Sequence, residues 1–258
     1  MLIRILFLSL FLILNGCITK DVFVEQDLTL KFEKAMKYYN KGKYNKARDE
    51  FNGILVLDNG SRLASQSQYY MAESMFELKE YDEAAISFDK YIRFSNDNQK
   101  IEVSRYRICQ CSINSLNSYQ RDQSQAQIAL KQFQIFIEDY PESEYIVDAE
   151  NSISTLRTQL AQKEYESGRL YLKQEEYESA IIYFQSVLNQ YYDTPIADEA
   201  RIAIVFAHIL NNNRLGARNY LESQNEKFFS KNKFIEAKTL LKETKGGLTL
   251  SQYYKLYK

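Results

Sequence analysis

Residues that could carry out chemistry are few in this chain. It has a single histidine, His208, and it has a Cys-x-Cys pair, Cys109 and Cys111, in a stretch with helical periodicity. Side chains two positions apart on a helix point to different sides, so this pair predicts neither a disulfide nor a metal chelate. His208 has no second metal ligand nearby in the sequence, and no HExxH, GxSxG or CxxC motif is present. We therefore expect no catalytic residue, no metal and no cofactor, and the chain is predicted not to be an enzyme.

The composition excludes further classes of protein. The 33 Lys and Arg residues nearly balance the 34 Asp and Glu residues, whereas a nucleic-acid-binding protein shows a strong basic excess, so no nucleic-acid partner is expected. With 8 Gly and 2 Pro, the chain cannot supply the turns of an all-β fold. It also lacks the Gly-rich motifs that cradle phosphates. The class that remains is an all-α protein with long helices.

The N-terminal segment is typical of an exported lipoprotein. One arginine precedes an apolar run from Ile5 to Leu14, which is half the roughly 20 residues that a membrane-spanning helix needs. Leu14-Asn15-Gly16-Cys17 resembles a bacterial lipobox, which implies acylation of Cys17 with chains such as palmitate. We expect a signal peptide at 1–16, a tether at 17–27 that carries lipidated Cys17, and anchoring at the periplasmic face of the outer membrane. Ordinary signal cleavage that leaves a free cysteine is the alternative.

An internal repeat organises the rest of the chain. A small residue followed four positions later by Phe or Leu recurs at Ala47, Ala84, Ala129, Ala180 and Ala217. The gaps of 37, 45, 51 and 37 residues correspond to one period with two insertions. A second small residue stands twelve positions earlier in most copies, and small residues on both helices let their axes approach to about 8–10 Å. The pattern predicts a TPR-type α-α superhelix of about five helix-turn-helix repeats.

These repeats predict the domain organisation. Ser143 is a candidate N-cap for an unusually long helix that joins the third and fourth repeats. After the last repeat the composition becomes basic, which predicts either a capping helix with a frayed end or a segment that contacts acidic headgroups or a partner. The expected segments are TPR 1 at 28–64, TPR 2 at 65–100, TPR 3 at 101–141 with a loop at 118–125, a long linking helix and TPR 4 at 142–197, TPR 5 at 198–225, and a basic C-terminal helix and tail at 226–258.

Residues 119–200 carry a more specific resemblance. The succession of Arg121-Asp122-Gln123, Tyr140-Pro141-Glu142-Ser143-Glu144-Tyr145 and Asp148-Ala149 is similar in order and spacing to the BamD family, the TPR lipoproteins of the outer-membrane β-barrel assembly machinery. The resemblance implies a non-catalytic scaffold that binds the periplasmic part of a BamA-like barrel-assembly protein, other assembly lipoproteins and unfolded outer-membrane proteins. The alternative is another envelope TPR lipoprotein, a scaffold of cell-wall or secretion machinery.

The candidate binding residues follow from the repeat. Three positions on the first helix of each TPR face the groove, and in the first two repeats five of these six side chains are large and apolar or aromatic. Such side chains offer apolar platforms and hydroxyl partners to an extended substrate, and the resemblance associates the N-terminal repeats with substrate. Packing against the tether or neighbouring helices is the alternative. The candidate substrate groove is Phe32, Met36, Tyr39, Tyr69 and Phe76, with Glu73 at the sixth position.

The fourth repeat carries a second candidate surface. At the same three positions it has Tyr165, Arg169 and Leu172. The resemblance places the contact with the barrel-assembly protein in this C-terminal half, so these residues are the candidate partner surface.

Overall fold

The computed structural model describes residues 27–58, 60–116 and 123–243, and in these ranges every regular element is an α-helix. This confirms the all-α fold class. The signal peptide, Cys17, most of its tether and of the loop expected at 118–125, and the end of the C-terminal tail lie outside the described residues. No helix within the described ranges combines the length and the apolar character that crossing a bilayer requires.

In sequence order the described helices correspond to the five expected helix pairs followed by one more helix. They are α1 (27–39), α2 (Tyr44–Leu57), α3 (Arg62–Glu77), α4 (Tyr81–Phe94), α5 (Asn98–Asn114), α6 (Gln123–Asp139), α7 (Ile146–Lys173), α8 (Tyr177–Gln190), α9 (Ile196–Leu210), α10 (Arg214–Ser223) and α11 (Lys231–Glu243).

Four of the pairs are closed by the same tight turn. In each, the residue two positions before the second helix has a positive φ angle: Gly42 at 68°, Lys79 at 63°, Glu175 at 64° and Asn212 at 54°. Glycine adopts this left-handed conformation without steric cost, whereas other residues adopt it rarely. The repeated feature of the hairpin is therefore the backbone turn, which three different side chains and one glycine all accommodate.

Small residues bring the two helices of a pair together. In the first repeat Ala35 faces Ala47, both fully buried, and the Phe51 ring is fully buried beside them. In the fourth repeat a Cβ added to Gly168 would lie 2.6 Å from the Phe184 ring. The aromatic ring therefore packs directly on the helix backbone, which only glycine allows at this position.

The chain divides into two compact units. Unit 1 comprises Met1–Leu116 and Ile135–Tyr145, and unit 2 comprises Asn117–Gln134 and Ile146–Lys258. In unit 1, α2 packs on α3, α3 on α4 and α4 on α5. In unit 2, α7 packs on α8, α8 on α9, and α9 on α10 and α11. Each helix buries an apolar stripe against its neighbours in sequence, as stacked repeats require.

Two local features differ from the expectation. Helix α6 begins at Gln123, so the last three residues of the expected loop are helical. Ala126 and Ala129 are both buried, because residues three apart lie on the same face of a helix. Helix α7 has 28 residues and begins at Ile146, three residues after Ser143. The Ser143 Oγ accepts the N–H of Tyr145 at 3.2 Å in the turn that precedes the helix.

Candidate functional site

The five residues of the candidate groove lie on α1 and α3 of unit 1, and all five are partly buried. Phe32, Met36 and Tyr39 pack against the core cluster that contains Phe51. The Phe32 ring centroid lies 5.6 Å from that of Phe51. These α1 side chains therefore support the core and also keep exposed surface. We call Phe32, Met36, Tyr39, Tyr69 and Phe76 the aromatic face.

Tyr70, beside Tyr69 on α3, connects the two repeats. Its ring centroid lies 6.2 Å from Phe32, 5.4 Å from Tyr39 and 5.9 Å from Phe51. The centroids of Tyr69 and Tyr70 are 5.3 Å apart with the rings nearly perpendicular, an arrangement that aromatic pairs favour. The aromatic face is consequently held as a continuous cluster across the first two repeats.

A buried ion pair adjoins this cluster. Glu73 on α3 is only 4% exposed, and the Arg107 Nε on α5 donates to its Oε1 at 3.0 Å. The Arg107 guanidinium lies 4.6 Å from the Phe76 ring centroid, and its Nη1 donates to the Gln110 side chain at 2.9 Å. A carboxylate as buried as Glu73 needs a hydrogen-bonded cation. Arg107 is therefore a structural part of the site, and it joins the second repeat to the third.

The ionisation of these groups limits what the site can do. Burial raises the pKa of Glu73, and the neighbouring Arg107 opposes that rise. Burial, with a contribution from the Glu73 charge, also raises the pKa of Tyr39 and of Tyr69. Both phenols therefore stay protonated near neutral pH and can donate hydrogen bonds. The arrangement is suited to binding through rings, hydroxyl groups and one charge pair.

Tyr70 and Arg107 are not among the residues that the repeat pattern selects. The predicted groove positions are counted from the small residue in the first helix of each repeat. In the third repeat this small residue is Cys109, and counting from it does not select Arg107. The available signal was Glu73 itself, because a carboxylate at an otherwise apolar groove position requires a cation. Arg107 stands 34 residues further along the chain, close to one repeat period.

The thiols and the histidine are not arranged for chemistry. Cys109 and Cys111 are free and buried. Burial raises the pKa of each thiol to about 12, so both remain protonated and weakly reactive. Burial lowers the pKa of His208, which is partly buried on α9. Among the residues that the structure describes, no three His, Cys, Asp or Glu side chains are grouped to hold a metal ion.

The candidate partner surface lies on α7 of unit 2. The Tyr165 ring packs 5.3 Å from the Phe184 ring centroid and keeps part of its surface. The Arg169 Nη1 donates to the Glu166 carboxylate at 3.0 Å on the helix exterior. Leu172 is buried at 6% exposure. Tyr165 and Arg169 are accordingly the members of this set with surface to offer, while Leu172 supports the core.

A second buried ion pair, which the repeat pattern does not predict, lies in unit 2. Asp198 and Arg201 on α9 are 4% and 5% exposed, and the Arg201 Nη1 donates to the Asp198 Oδ1 at 3.0 Å. The Asp198 carboxylate also accepts the backbone N–H groups of Phe229 at 3.2 Å and Ser230 at 2.9 Å. This pair fastens the segment before α11 to α9.

Helix α11 covers the last repeat. Its Ala237 and Leu240 are buried, and the Lys233 Nζ lies 2.7 Å from the Glu199 carboxylate of α9. The Arg214 guanidinium donates to the Leu241 carbonyl. Residues 231–243 of the basic segment therefore form a helix that caps the last repeat.

The fold defines a class of protein: an all-α protein built from TPR-type helical hairpins. A family model described as "YfiO: Outer membrane lipoprotein" matches residues 25–227. The chain belongs to this family, which confirms the resemblance found in the sequence.

Curated relatives are similar over most of the chain. The protein named outer membrane protein assembly factor BamD from Rickettsia prowazekii (strain Madrid E) is 27% identical over 202 residues, which cover 77% of this chain and 80% of the relative. The protein of the same name from Caulobacter vibrioides is 26% identical over 188 residues, covering 73% and 62%. The one from Buchnera aphidicola is 22% identical over 214 residues, covering 78% and 87%.

Solved structures of TPR proteins are also similar to this chain. The TPR2AB domain of yeast Sti1, described as a pHSP90 complex, has a TM-score of 0.41 at 14% identity, covering 90% of this chain and 98% of the other. YrrB, described as a TPR protein with an unusual peptide-binding site, has a TM-score of 0.32 at 17% identity, covering 81% and 90%.

Proposed function

We propose that this chain is a non-catalytic, lipid-anchored scaffold for the assembly of outer-membrane β-barrel proteins. Membership of the outer membrane lipoprotein family is the observation that carries the proposal. The curated relatives are named as outer membrane protein assembly factors, which supports the same process for this chain. Acylated Cys17 would hold the scaffold at the periplasmic face of the outer membrane.

The aromatic face is the proposed site for unfolded outer-membrane proteins. Strands of such barrels alternate apolar and polar side chains, so an extended segment offers rings and aliphatic groups on one side and hydrogen-bonding groups on the other. The partly exposed rings of Phe32 and Phe76 and the Met36 side chain can contact the apolar groups, and the protonated Tyr39 and Tyr69 hydroxyls can pair with the hydrogen-bonding groups.

The surface at Tyr165 and Arg169 is the proposed contact for a BamA-like protein, with other assembly lipoproteins as further partners. An aromatic ring beside an arginine is the residue combination that is enriched at the energetic centres of protein interfaces. Arg169 already has its charge oriented by Glu166 at 3.0 Å, which limits the entropy that ordering this long side chain would cost on binding.

Purification and site-specific crosslinking test these assignments together. The full chain carries a photoreactive amino acid at Phe76 on α3 or, as a matched control, at Ile86 on α4, where the side chain is 61% exposed. We expect adducts with newly made barrel proteins from position 76 and not from position 86. Affinity purification from gently solubilised membranes should recover the barrel-assembly protein, and this recovery should fall with Tyr165→Ala and Arg169→Ala.

Two results would contradict the proposal. Recovery of cell-wall or secretion proteins without the barrel-assembly protein would assign the scaffold to other envelope machinery. Equal labelling of barrel precursors from positions 76 and 86 would show that the aromatic face is not the substrate site.

For the anchor, we expect Cys17→Ser to lose acylation, measured by mass spectrometry of the mature N-terminus.

A further inference from the structure

One edge of unit 1 gathers the beginnings of α1 and α3 and the ends of α2 and α4. The helices of each hairpin are antiparallel: Leu28 at the start of α1 shares a core cluster with Ile54 near the end of α2. A groove of about 490 Å³ joins Leu55 of α2, Ser61 at the start of α3 and Phe94 at the end of α4. These contacts place the three helix ends side by side.

This edge carries most of the exposed large apolar side chains of α1 to α5. Leu30 is 60% exposed, Val56 76%, Leu57 62% and Phe94 83%; Ile86 is the fifth exposed large apolar residue in the described part of these helices. Single exposed apolar residues are ordinary, but a concentration of them at one edge marks an interaction surface. The most exposed of the four, Phe94, also forms a wall of the groove.

Two cations accompany these apolar residues. Lys90 lines the same groove, and Arg62 is the first residue of α3. Within the described ranges neither is paired with a carboxylate. We call Leu30, Val56, Leu57, Arg62, Lys90 and Phe94 the basic-apolar edge.

Two carboxylates near this edge, those of Asp58 and Asp89, have other partners than Arg62 and Lys90. Asp58 accepts the N–H groups of Gly60 at 3.0 Å and Ser61 at 3.2 Å, and these hydrogen bonds lower the pKa of its carboxyl. Asp89 binds Arg93 at 2.7 Å. Neither carboxylate forms an ion pair with Arg62 or Lys90, so these two cationic side chains can contact an anionic partner.

The position of the edge relative to Cys17 selects the partner. Asp27, where α1 begins, is ten positions after Cys17, and a chain of this length spans at most about 35 Å when extended. The start of α1 belongs to the edge itself. A bilayer that holds Cys17 is consequently within reach of the basic-apolar edge.

We propose that the basic-apolar edge docks on the anionic lipid surface to which the chain is anchored. Its apolar side chains enter the headgroup region, and Arg62 and Lys90 contact lipid phosphates, as amphipathic surface segments do. The proposal rests on the membrane anchor in the proposed function. It adds that the anchored protein has a defined orientation, with the ends of α2 and α4 towards the bilayer.

Tryptophan quenching tests this orientation. The chain has no Trp, so Phe94→Trp introduces a unique reporter, and Ile86→Trp on the same helix is the matched control. The acylated full chain is reconstituted in phosphatidylcholine vesicles that contain phosphatidylglycerol and lipids brominated on the upper acyl chain. We expect quenching of Trp fluorescence to be several-fold stronger at position 94 than at position 86.

Charge reversal tests the role of the cations. Arg62→Glu with Lys90→Glu should reduce the quenching at position 94 to the level of position 86. Lys37→Glu with Arg105→Glu, two exposed cations elsewhere in unit 1, should leave it unchanged. Omitting phosphatidylglycerol or adding salt should weaken the quenching, because contacts with lipid charge are screened.

The outcomes separate this proposal from the anchor. If the chain sediments with vesicles and positions 94 and 86 are quenched equally, the anchor stands and the edge proposal is overturned. If Cys17→Ser still binds vesicles and position 94 is quenched, the edge stands and the lipid anchor is not required. If position 94 is shielded only when the solubilised assembly complex is added, the edge is a protein interface and the lipid proposal is overturned.

Discussion

Units 1 and 2 are built from the same helical hairpin but use their first helices differently. In unit 1, α3 buries six of its sixteen residues and retains partly exposed rings. In unit 2, α9 buries eleven of its fifteen residues because α8, α10 and α11 all pack on it. The first helix of a repeat can therefore keep partly exposed rings or form a core, depending on which helices pack on it.

The two buried ion pairs differ in the same way. Glu73 and Arg107 lie on different helices, α3 and α5, so their pairing links successive repeats of unit 1. Asp198 and Arg201 lie three residues apart on α9, and their pairing supports a loop that leads to the capping helix. The ion pair of unit 1 therefore joins two successive repeats, whereas the ion pair of unit 2 attaches the segment before α11 to α9.

The largest expected effect comes from removing the acid of the unit 2 pair. Asp198→Ala leaves Arg201 buried without a counter-charge and removes the acceptor of two backbone N–H groups. We expect the free energy of unfolding to fall by about 3–5 kcal/mol, measured by denaturant unfolding. Glu178→Ala at an exposed position on α8 is the control and should change it by less than about 0.5 kcal/mol. A loss as small as that of the control would show that the cover does not depend on this pair.

A double-mutant cycle measures the unit 1 pair. Glu73→Ala, Arg107→Ala and the double variant should give a coupling energy of about 1.5–3 kcal/mol, because the hydrogen bond is charged and largely buried. The exposed pair Asp89 and Arg93 provides the reference, with about 0.3–0.5 kcal/mol expected. Equal coupling energies for the two pairs would contradict a stacking role for Glu73 and Arg107.

Two helical glycines distinguish the packing of the units. Gly168→Ala in unit 2 forces a Cβ against the Phe184 ring and should destabilise the protein by about 1–3 kcal/mol. Gly53→Ala in unit 1 meets only the end of the Lys31 side chain, which can move aside. That variant should be about 0.5–1 kcal/mol more stable, because alanine favours the helix. Thermal unfolding of both variants under one condition checks the opposite signs.

The smallest effect is a pH dependence that belongs to unit 2. Burial lowers the pKa of His208, so the unfolded chain binds a proton at higher pH than the folded chain. The contribution of His208 to the free energy of unfolding is therefore fully present above the ordinary pKa of about 6.5. It declines as the pH falls towards the pKa of His208 in the folded state. His208→Gln should flatten this decline in unfolding curves measured between neutral and mildly acidic pH. An unchanged slope would show that His208 is as accessible in the folded state as in the unfolded chain.

Much of the fold could be predicted from single residues. Ala47, Ala84 and Ala180 are all fully buried at helix crossings, because a small side chain at a fixed period has little other use in a helical chain. The residues of the candidate site are harder to predict from the sequence. Leu172 was assigned to a partner surface and is buried, while Arg107 was not assigned and lies at the site. Position within a repeat indicates a helix face, but it does not indicate which neighbouring side chain reaches that face.

The sequence by itself determined the all-α class, the helical hairpins and the family. These features depend on local periodicity and on short motifs, whose residues are close together in the sequence. Only the tertiary structure decided which cation neutralises Glu73, how Asp198 holds the segment before α11, and which apolar residues remain at the edge of unit 1. Those outcomes depend on contacts between residues about 30 positions apart. Burial and pairing at such separations are set by how the helices stack.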